Sequence, residues 1–130
     1  MSRPSYLLDT SFLIDLANEV ESGTAGPALR ALAALPSGRF FVSPVTVAEI
    51  LEGAEDPGEA IFELSKYQHQ TLGWAAAQRC ALNQSRTSRR MGENDAWQAA
   101  LSVVSGHRLI GHDHGFERRP WLDYVDHRKY

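Results

Sequence analysis

Cysteine is nearly missing: Cys80 is the only one in 130 residues, so neither an intramolecular disulfide nor a cysteine-based zinc site can form. That scarcity suits a reducing cytoplasm, which is the expected compartment. Long apolar runs are missing as well. The segment Met1 to Tyr6 is polar, and the apolar stretch after it is broken by Asp9 and Asp15, so neither a signal peptide nor a membrane span is expected and no membrane partner is implied. No segment is low in complexity, and no repeat has the period of a solenoid or propeller. Positive charge is not in excess either: thirteen Lys and Arg stand against sixteen Asp and Glu, a formal net charge of −3. Taken alone, that balance disfavours a surface coated in cations for gripping nucleic acid.

What is present is the composition of an ordinary globular protein, 43% hydrophobic and 22% charged. A chain of this length fits one domain, spanning 1–130, with one active or binding site. Tyr6-Leu7-Leu8 reads as a short strand ending at Asp9-Thr10-Ser11, a good helix entrance, after which Phe12, Leu13, Leu16 and Ala17 fall on one helix face. A second helix spans 28–35. Arg39 to Val42 reads as a buried strand, and Ser43-Pro44 opens a helix over 44–54 with Val47, Ile50 and Leu51 facing the core. The pattern continues with a helix over 59–67, a weak strand over 69–72, a long helix over 74–90 and another over 93–104. Arg108 to Gly111 reads as a further strand, and Leu122 to Val125 as a last one. Strands alternating with helices imply right-handed βαβ units, hence an α/β fold with a parallel sheet covered on both faces. Sites in such sheets lie outside the carboxyl ends of the strands.

Two of those ends carry an acid, Asp9 after the first strand and Asp113 after Leu109-Ile110-Gly111. Glu49 lies about a turn and a half into the helix opened by Pro44, and Asp95 lies in the first turn of the helix after Gly92. Each acid alone has an ordinary explanation: Asp9 and Asp95 as helix caps, Asp113 as a turn former, Glu49 as a solvated helix residue. Gathered at one edge they would repel one another, and such a cluster implies a compensating cation. Hard oxygen ligands without cysteine favour Mg²⁺ or Mn²⁺ over zinc.

Leu8-Asp9-Thr10-Ser11, the stretch from Ser43 to Ala54 with Glu49, Asn94-Asp95-Ala96-Trp97-Gln98-Ala99-Ala100, and the stretch from Leu109 to Phe116 with Asp113 resemble the four ordered motifs of PIN-domain ribonucleases. Within that family the chain is similar to VapC-type toxins of type II toxin–antitoxin pairs. The resemblance implies a three-layer α/β/α sandwich around a central parallel sheet. It also implies that Asp9, Glu49, Asp95 and Asp113 are the acidic quartet that holds Mg²⁺, with Mn²⁺ as a substitute. Asp9, Asp95 and Asp113 would ligate directly, and Glu49 would ligate through water or act as base for the attacking water. Thr10 or Ser11 would orient Asp9, and Asn94 would position Asp95 or a water. The implied reaction is hydrolysis of RNA phosphodiesters, leaving a 5′-phosphate and a 3′-hydroxyl. The family further implies a cognate antitoxin, whose C-terminal segment occupies a groove near Leu29, Leu32, Ile61, Phe62 and Leu64, and a homodimer. One departure is visible. Gly111 stands where a Ser or Thr often precedes the last acid by two residues.

Arg86, Arg89 and Arg90 lead into Asp95, and Arg118 and Arg119 follow Asp113; these are the expected RNA-binding residues, with a solvated helix face as the alternative. Arg79 belongs to the same run. His112 and His114 flank Asp113, but alternation along an extended segment aims them away from it, so a zinc site through all three is not expected. Trp74, Trp97 and Trp121 read as core residues, with base stacking as the alternative. Two other function classes fit less well: a catalytically silent binding module of the same fold, and a metal-dependent phosphohydrolase of small phosphate esters. Charge is unevenly distributed along the chain. Residues 1–78 carry four basic and ten acidic groups, whereas residues 79–130 carry nine and six. Without the four clustered acids, twelve acidic residues face thirteen basic ones, so net acidity does not exclude an RNA substrate.

Overall fold

A computed structural model describes residues 3–130; what the sequence reading drew from Met1 and Ser2 lies outside the described residues. The chain forms β1 (Ser5–Leu8), α1 (Thr10–Ser22), α2 (Pro27–Ala34), β2 (Arg39–Val42), α3 (Pro44–Gly53), α4 (Pro57–Leu64), β3 (Gln68–His69), α5 (Trp74–Ser85), α6 (Glu93–Ser105), β4 (Arg108–Gly111) and β5 (Tyr124–Asp126), with a short 3₁₀ turn at His127–Lys129. Strand order is β3-β2-β1-β4-β5, and every pairing is parallel. The expected α/β/α sandwich is present. No helix among the described residues is long and apolar enough to cross a membrane.

Alternation along the strands divides the core. Leu7, Phe41 and Leu109 point to one face, where they pack with Ala76, Cys80, Ala99 and Leu101 of α5 and α6. Tyr6, Leu8, Val42 and Ile110 point to the other and meet Phe12, Leu13, Ala28 and Leu64 of α1, α2 and α4. Chain direction explains why the layers separate. The path β1 to β2 to β3 moves one way across the sheet, then the α5–α6 crossover reverses it to reach β4 on the far side of β1. A right-handed crossover in the reverse direction must run over the opposite face. The reversal occurs between β1 and β4, and their carboxyl ends flank the crevice where ligands bind such sheets.

Local chemistry sets most helix ends. Asp9, Ser43 and Asp56 cap α1, α3 and α4, with Pro44 and Pro57 following directly at the first helical position. Pro27 and Pro57 therefore start α2 and α4 earlier than periodicity alone suggested. Gly106 closes α6 at φ 76°, a conformation that other residues adopt only under strain, and donates its N–H to Ser102 O. At α2 the free N–H groups of Gly26, Ala28 and Leu29 donate to the Glu19 carboxylate at 2.7–2.9 Å, which outweighs its partial desolvation and lowers its pKa.

Four sequence expectations need correction. The helix expected over 74–90 stops at Ser85. Gln84, buried, donates from Nε2 to Met91 O at 2.9 Å and accepts from Met91 N at 3.0 Å, which folds the 86–92 segment back as a loop. Of the tryptophans read as core, only Trp97 packs on the core cluster. Trp74 is 81% exposed, because the buried face of α5 runs through Ala76, Cys80 and Gln84 at four-residue spacing and leaves Trp74 opposite. In α3 the fully buried residue is Thr46, a hydroxyl, while Val47 and Ile50 are half-buried against the sheet cluster and Leu51 stands outside it. The edge strands also shifted: β3 is Gln68–His69, not 69–72, and β5 is Tyr124–Asp126, since residues at sheet edges have only one partner strand to set their register.

Candidate active site

The four acids come from four elements and meet at the carboxyl edge of the sheet. Asp9 ends β1, Glu49 stands on α3, Asp95 in the first turn of α6 and Asp113 just beyond β4. Asp9 is 5% exposed, and the other three are half-buried. Burial raises the pKa of Asp9, opposed by hydrogen bonds from Ser11 and Gln98. Asp95 is pushed up to about 7, first by burial and then by the charge of Asp113, a hydrogen bond shared with it, and the charges of Asp9 and Glu49. Carboxylates held in one another's field disfavour each other's charged form. Gly115 touches the same spot: a Cβ there would lie 3.1 Å from Asp113 Oδ1 and 3.3 Å from Asp95 Oδ2.

Three of the carboxylates accept hydrogen bonds from neighbours. Ser11 Oγ donates to Asp9 Oδ2 at 2.8 Å and accepts from the backbone N–H of His112 at 2.9 Å, so it stitches the β1 and β4 ends together. Thr10 Oγ1 donates to Glu49 Oε1 at 2.7 Å. Asp113 Oδ1 accepts from Gly115 N at 2.7 Å. The roles anticipated for Thr10 and Ser11 thus divide, one serving Glu49 and the other Asp9. Asn94 is exposed, and the hydrogen bonds that hold the acids come from other residues. Gly111 is explained by space: a Cβ there would lie 2.7 Å from Asp9 Cβ, closer than real Cβ atoms come, and 3.1 Å from Ser11 Oγ.

Two supports escaped the sequence reading. Gln98 Nε2 donates to Asp9 Oδ1 at 3.3 Å. Tyr124 brackets the Asp113 loop, its hydroxyl donating to Gly111 O at 3.3 Å and accepting from Asp113 N at 3.4 Å while its ring packs on Phe116; burial pushes its pKa up to about 12. Neither residue carries a spacing signal, since each acts across elements that only the fold brings together.

The histidines are occupied elsewhere, His112 Nδ1 with Asp126 Oδ1 at 3.0 Å and His114 beside Glu117. The arginines separate. Arg86, Arg89, Arg90 and Arg118 are exposed, and Arg89 and Arg118 line a groove of about 410 Å³ with Thr87, Ser88 and His114. Arg90 lines another groove, between α5 and α6, with Cys80, Glu93 and Trp97. Arg119 lines the same groove as Arg89 and Arg118 and is half-buried. Its guanidinium donates to Gly115 O at 3.2 Å, Thr87 Oγ1 at 3.1 Å and Arg89 O at 2.8 Å, so its fork is spent on clasping the 86–92 loop to the loop after β4.

Whether a divalent cation suits this centre turns on its charge. Among the described residues no Lys, Arg or His forms an ion pair with Asp9, Glu49, Asp95 or Asp113, so their repulsion is uncompensated by the protein. An oxygen-only donor set of this kind fits Mg²⁺ or Mn²⁺. As the side chains stand, no three His, Cys, Asp or Glu among the described residues close around one point. Asp9, Glu49 and Asp113 each turn an oxygen onto a protein donor.

The model of the PIN domain matches residues 6–122, which takes in all four acids and the whole sheet up to the approach to β5. The chain belongs to the PIN domain family. No curated protein matches it at a significant level. Among solved structures, this PIN domain is similar to a toxin–antitoxin complex from Klebsiella pneumoniae, with a TM-score of 0.74 and 23% identity over 94% of this chain and 97% of that one. VapBC-1 from nontypeable Haemophilus influenzae gives a TM-score of 0.71 and 22% identity over 95% and 98%. VapC20 of Mycobacterium tuberculosis, described as a sarcin–ricin loop cleaving toxin, gives 0.65 and 17% over 91% and 97%. At these identities the likeness is one of fold, and it extends over nearly the full length of each PIN chain.

Proposed function

We propose that this PIN domain is a Mg²⁺-dependent endoribonuclease and the toxin of a type II toxin–antitoxin pair. The observation that carries the reading is the uncompensated acidic cluster at the β1–β4 crevice, with Asp95 raised to about 7 by burial and by its acidic neighbours. Asp9, Asp95 and Asp113 would hold the ion, with Glu49 reaching it through water. Mg²⁺, or Mn²⁺ in its place, supplies Lewis acidity toward a phosphoryl oxygen and lowers the pKa of water. Glu49, oriented by Thr10, would take the proton of the attacking water. Asp9 is kept aimed by Ser11 and Gln98, which limits the reorganisation needed on binding. Arg89 and Arg118, in the groove beside His114, are cations suited to the phosphates flanking the scissile bond, as are the exposed Arg86 and Arg90. A polymer with charge on both sides of the reacting group makes use of such outlying arginines, and a small phosphate ester does not.

The inhibitory partner would be an antitoxin segment of apolar and basic character. Ile61 and Phe62 are exposed on α4, among Glu52, Glu55, Asp56, Glu59 and Glu63, and an Arg or Lys of such a segment would complement the acidic centre. A homodimer belongs to the same proposal. The test is cleavage of RNA by the purified protein in Mg²⁺, with the sarcin–ricin loop as the first substrate because one relative in fold cuts it. Cutting should stop with EDTA and in a folded Asp9→Asn variant. Parental cutting by that variant, or turnover of small phosphate esters without RNA cleavage, would overturn the assignment.

A further inference from the structure

Near the acids, the most deeply buried side-chain amide belongs to Gln98, on α6 one turn beyond Asp95. It is 1% exposed and sits among the buried Ala96, Ala99, Ala100 and Leu101. Packing alone would be served there by an apolar residue, and a buried amide without partners costs about 1–3 kcal/mol. Gln98 is fully partnered. Its Nε2 donates to Thr46 Oγ1 at 2.7 Å and to Asp9 Oδ1 at 3.3 Å, and its Oε1 accepts from Ser43 Oγ. An ionised carboxylate accepts only, so the amide nitrogen must face Asp9; the flipped amide would set its carbonyl against the acid.

The chain of contacts runs further. Thr46 is fully buried, and its Oγ1 lies 3.4 Å from Thr10 Oγ1, whose proton goes to Glu49. The Thr46 proton is left for Leu8 O, 3.5 Å away at the end of β1. Gln98 is therefore the junction at which β1, α3 and α6 are joined by polar contacts, on the helix that also carries Asp95.

We propose that Gln98 is a positioning residue: held in place by Ser43 and Thr46, it orients the Asp9 carboxylate for a divalent cation shared with Glu49, Asp95 and Asp113. This inference rests on the metal-dependent reading above. Groups that orient metal ligands typically govern affinity by about 10- to 100-fold, and that is the effect expected here.

The experiment is calorimetric titration of the RNA-free protein with Mn²⁺, with far-UV circular dichroism as the check on folding. Gln98→Met keeps the length of the side chain and removes its polar atoms. It should bind Mn²⁺ about 10- to 100-fold more weakly than the parent. Thr46→Val should weaken binding in the same direction, while Thr46→Ser, which restores the hydroxyl, should bind as the parent does. Parental affinity in folded Gln98→Met overturns the proposal. Should that variant fail to fold, the Thr46 pair decides, and equal affinity of the Val and Ser variants overturns it. Asp9→Asn separates the metal centre from the role of Gln98. A parent that binds no Mn²⁺, or an Asp9→Asn variant that binds it as the parent does, brings down the metal centre and this proposal together. Binding lost in Asp9→Asn but untouched in Gln98→Met removes the role of Gln98 alone.

Discussion

Asp95 holds a charge that the fold opposes, and removing that charge should stabilise the protein in the absence of metal. Its pKa rises from an ordinary 3.8 to about 7 on folding, so the folded chain binds this proton more tightly than the unfolded chain. Stability contributed by this group is therefore fully present below about pH 4 and is lost as pH rises to about 7. At about 1.4 kcal/mol per pKa unit the full penalty at pH 8 would be about 4 kcal/mol, and solvent screening of a half-buried group reduces it to about 2 kcal/mol. An acid in the first turn of α6 also gains about 0.3–1 kcal/mol from the helix N-terminus, and Asn forfeits that. Repulsion wins, and Asp95→Asn should stabilise the metal-free protein by about 1–2 kcal/mol, or about 4–8 °C in melting temperature at this chain length. The assay is thermal unfolding in EDTA at pH 8 and at pH 4.5, where the difference should nearly vanish. In saturating MgCl₂ the order should reverse, because only the parent gains fully from a ligand bound to the folded state. Equal melting temperatures at pH 8 in EDTA, or a less stable variant, would refute the reasoning.

The Gly111 explanation predicts that Gly111→Ser destabilises the protein by about 1–3 kcal/mol, as overpacking does, and a parental melting temperature would show that the β1 and β4 ends separate freely. Arg119→Ala should cost about 2 kcal/mol in urea unfolding by breaking the clasp between the 86–92 loop and the loop after β4. Arg118, by contrast, adopts φ 60°, so Arg118→Gly should gain about 1 kcal/mol, and a loss would mean that its side chain, not its backbone, matters to the fold.

Much of the sheet was legible because it depends on local signals. Tyr6-Leu7-Leu8, Arg39 to Val42 and Arg108 to Gly111 are short apolar runs, and each lies within a residue of its strand. Asp9 and Ser43 announced helix entrances by chemistry that acts within three residues. Errors fell where a distant partner overrode the local pattern. Gln84 reaching Met91 cut α5 short, and nothing in the helical pattern of 74–90 encodes that latch. Arg119 likewise takes on a structural task that no local pattern encodes, because its three acceptors lie on loops joined only by the fold.

By itself the sequence determined that acids end two apolar strands and begin or line two helices, because capping and alternation operate over a few residues. It also determined that no cysteine site competes with them. Only the tertiary structure decided that these acids share one crevice, that Gly111 must lack a side chain, and that Gln98 and Tyr124 serve the acids. The physical reason is range: a hydrogen bond or a charge repulsion acts over a few ångströms of space, and residues 9, 49, 95 and 113 come within that range only when β1 and β4 lie side by side.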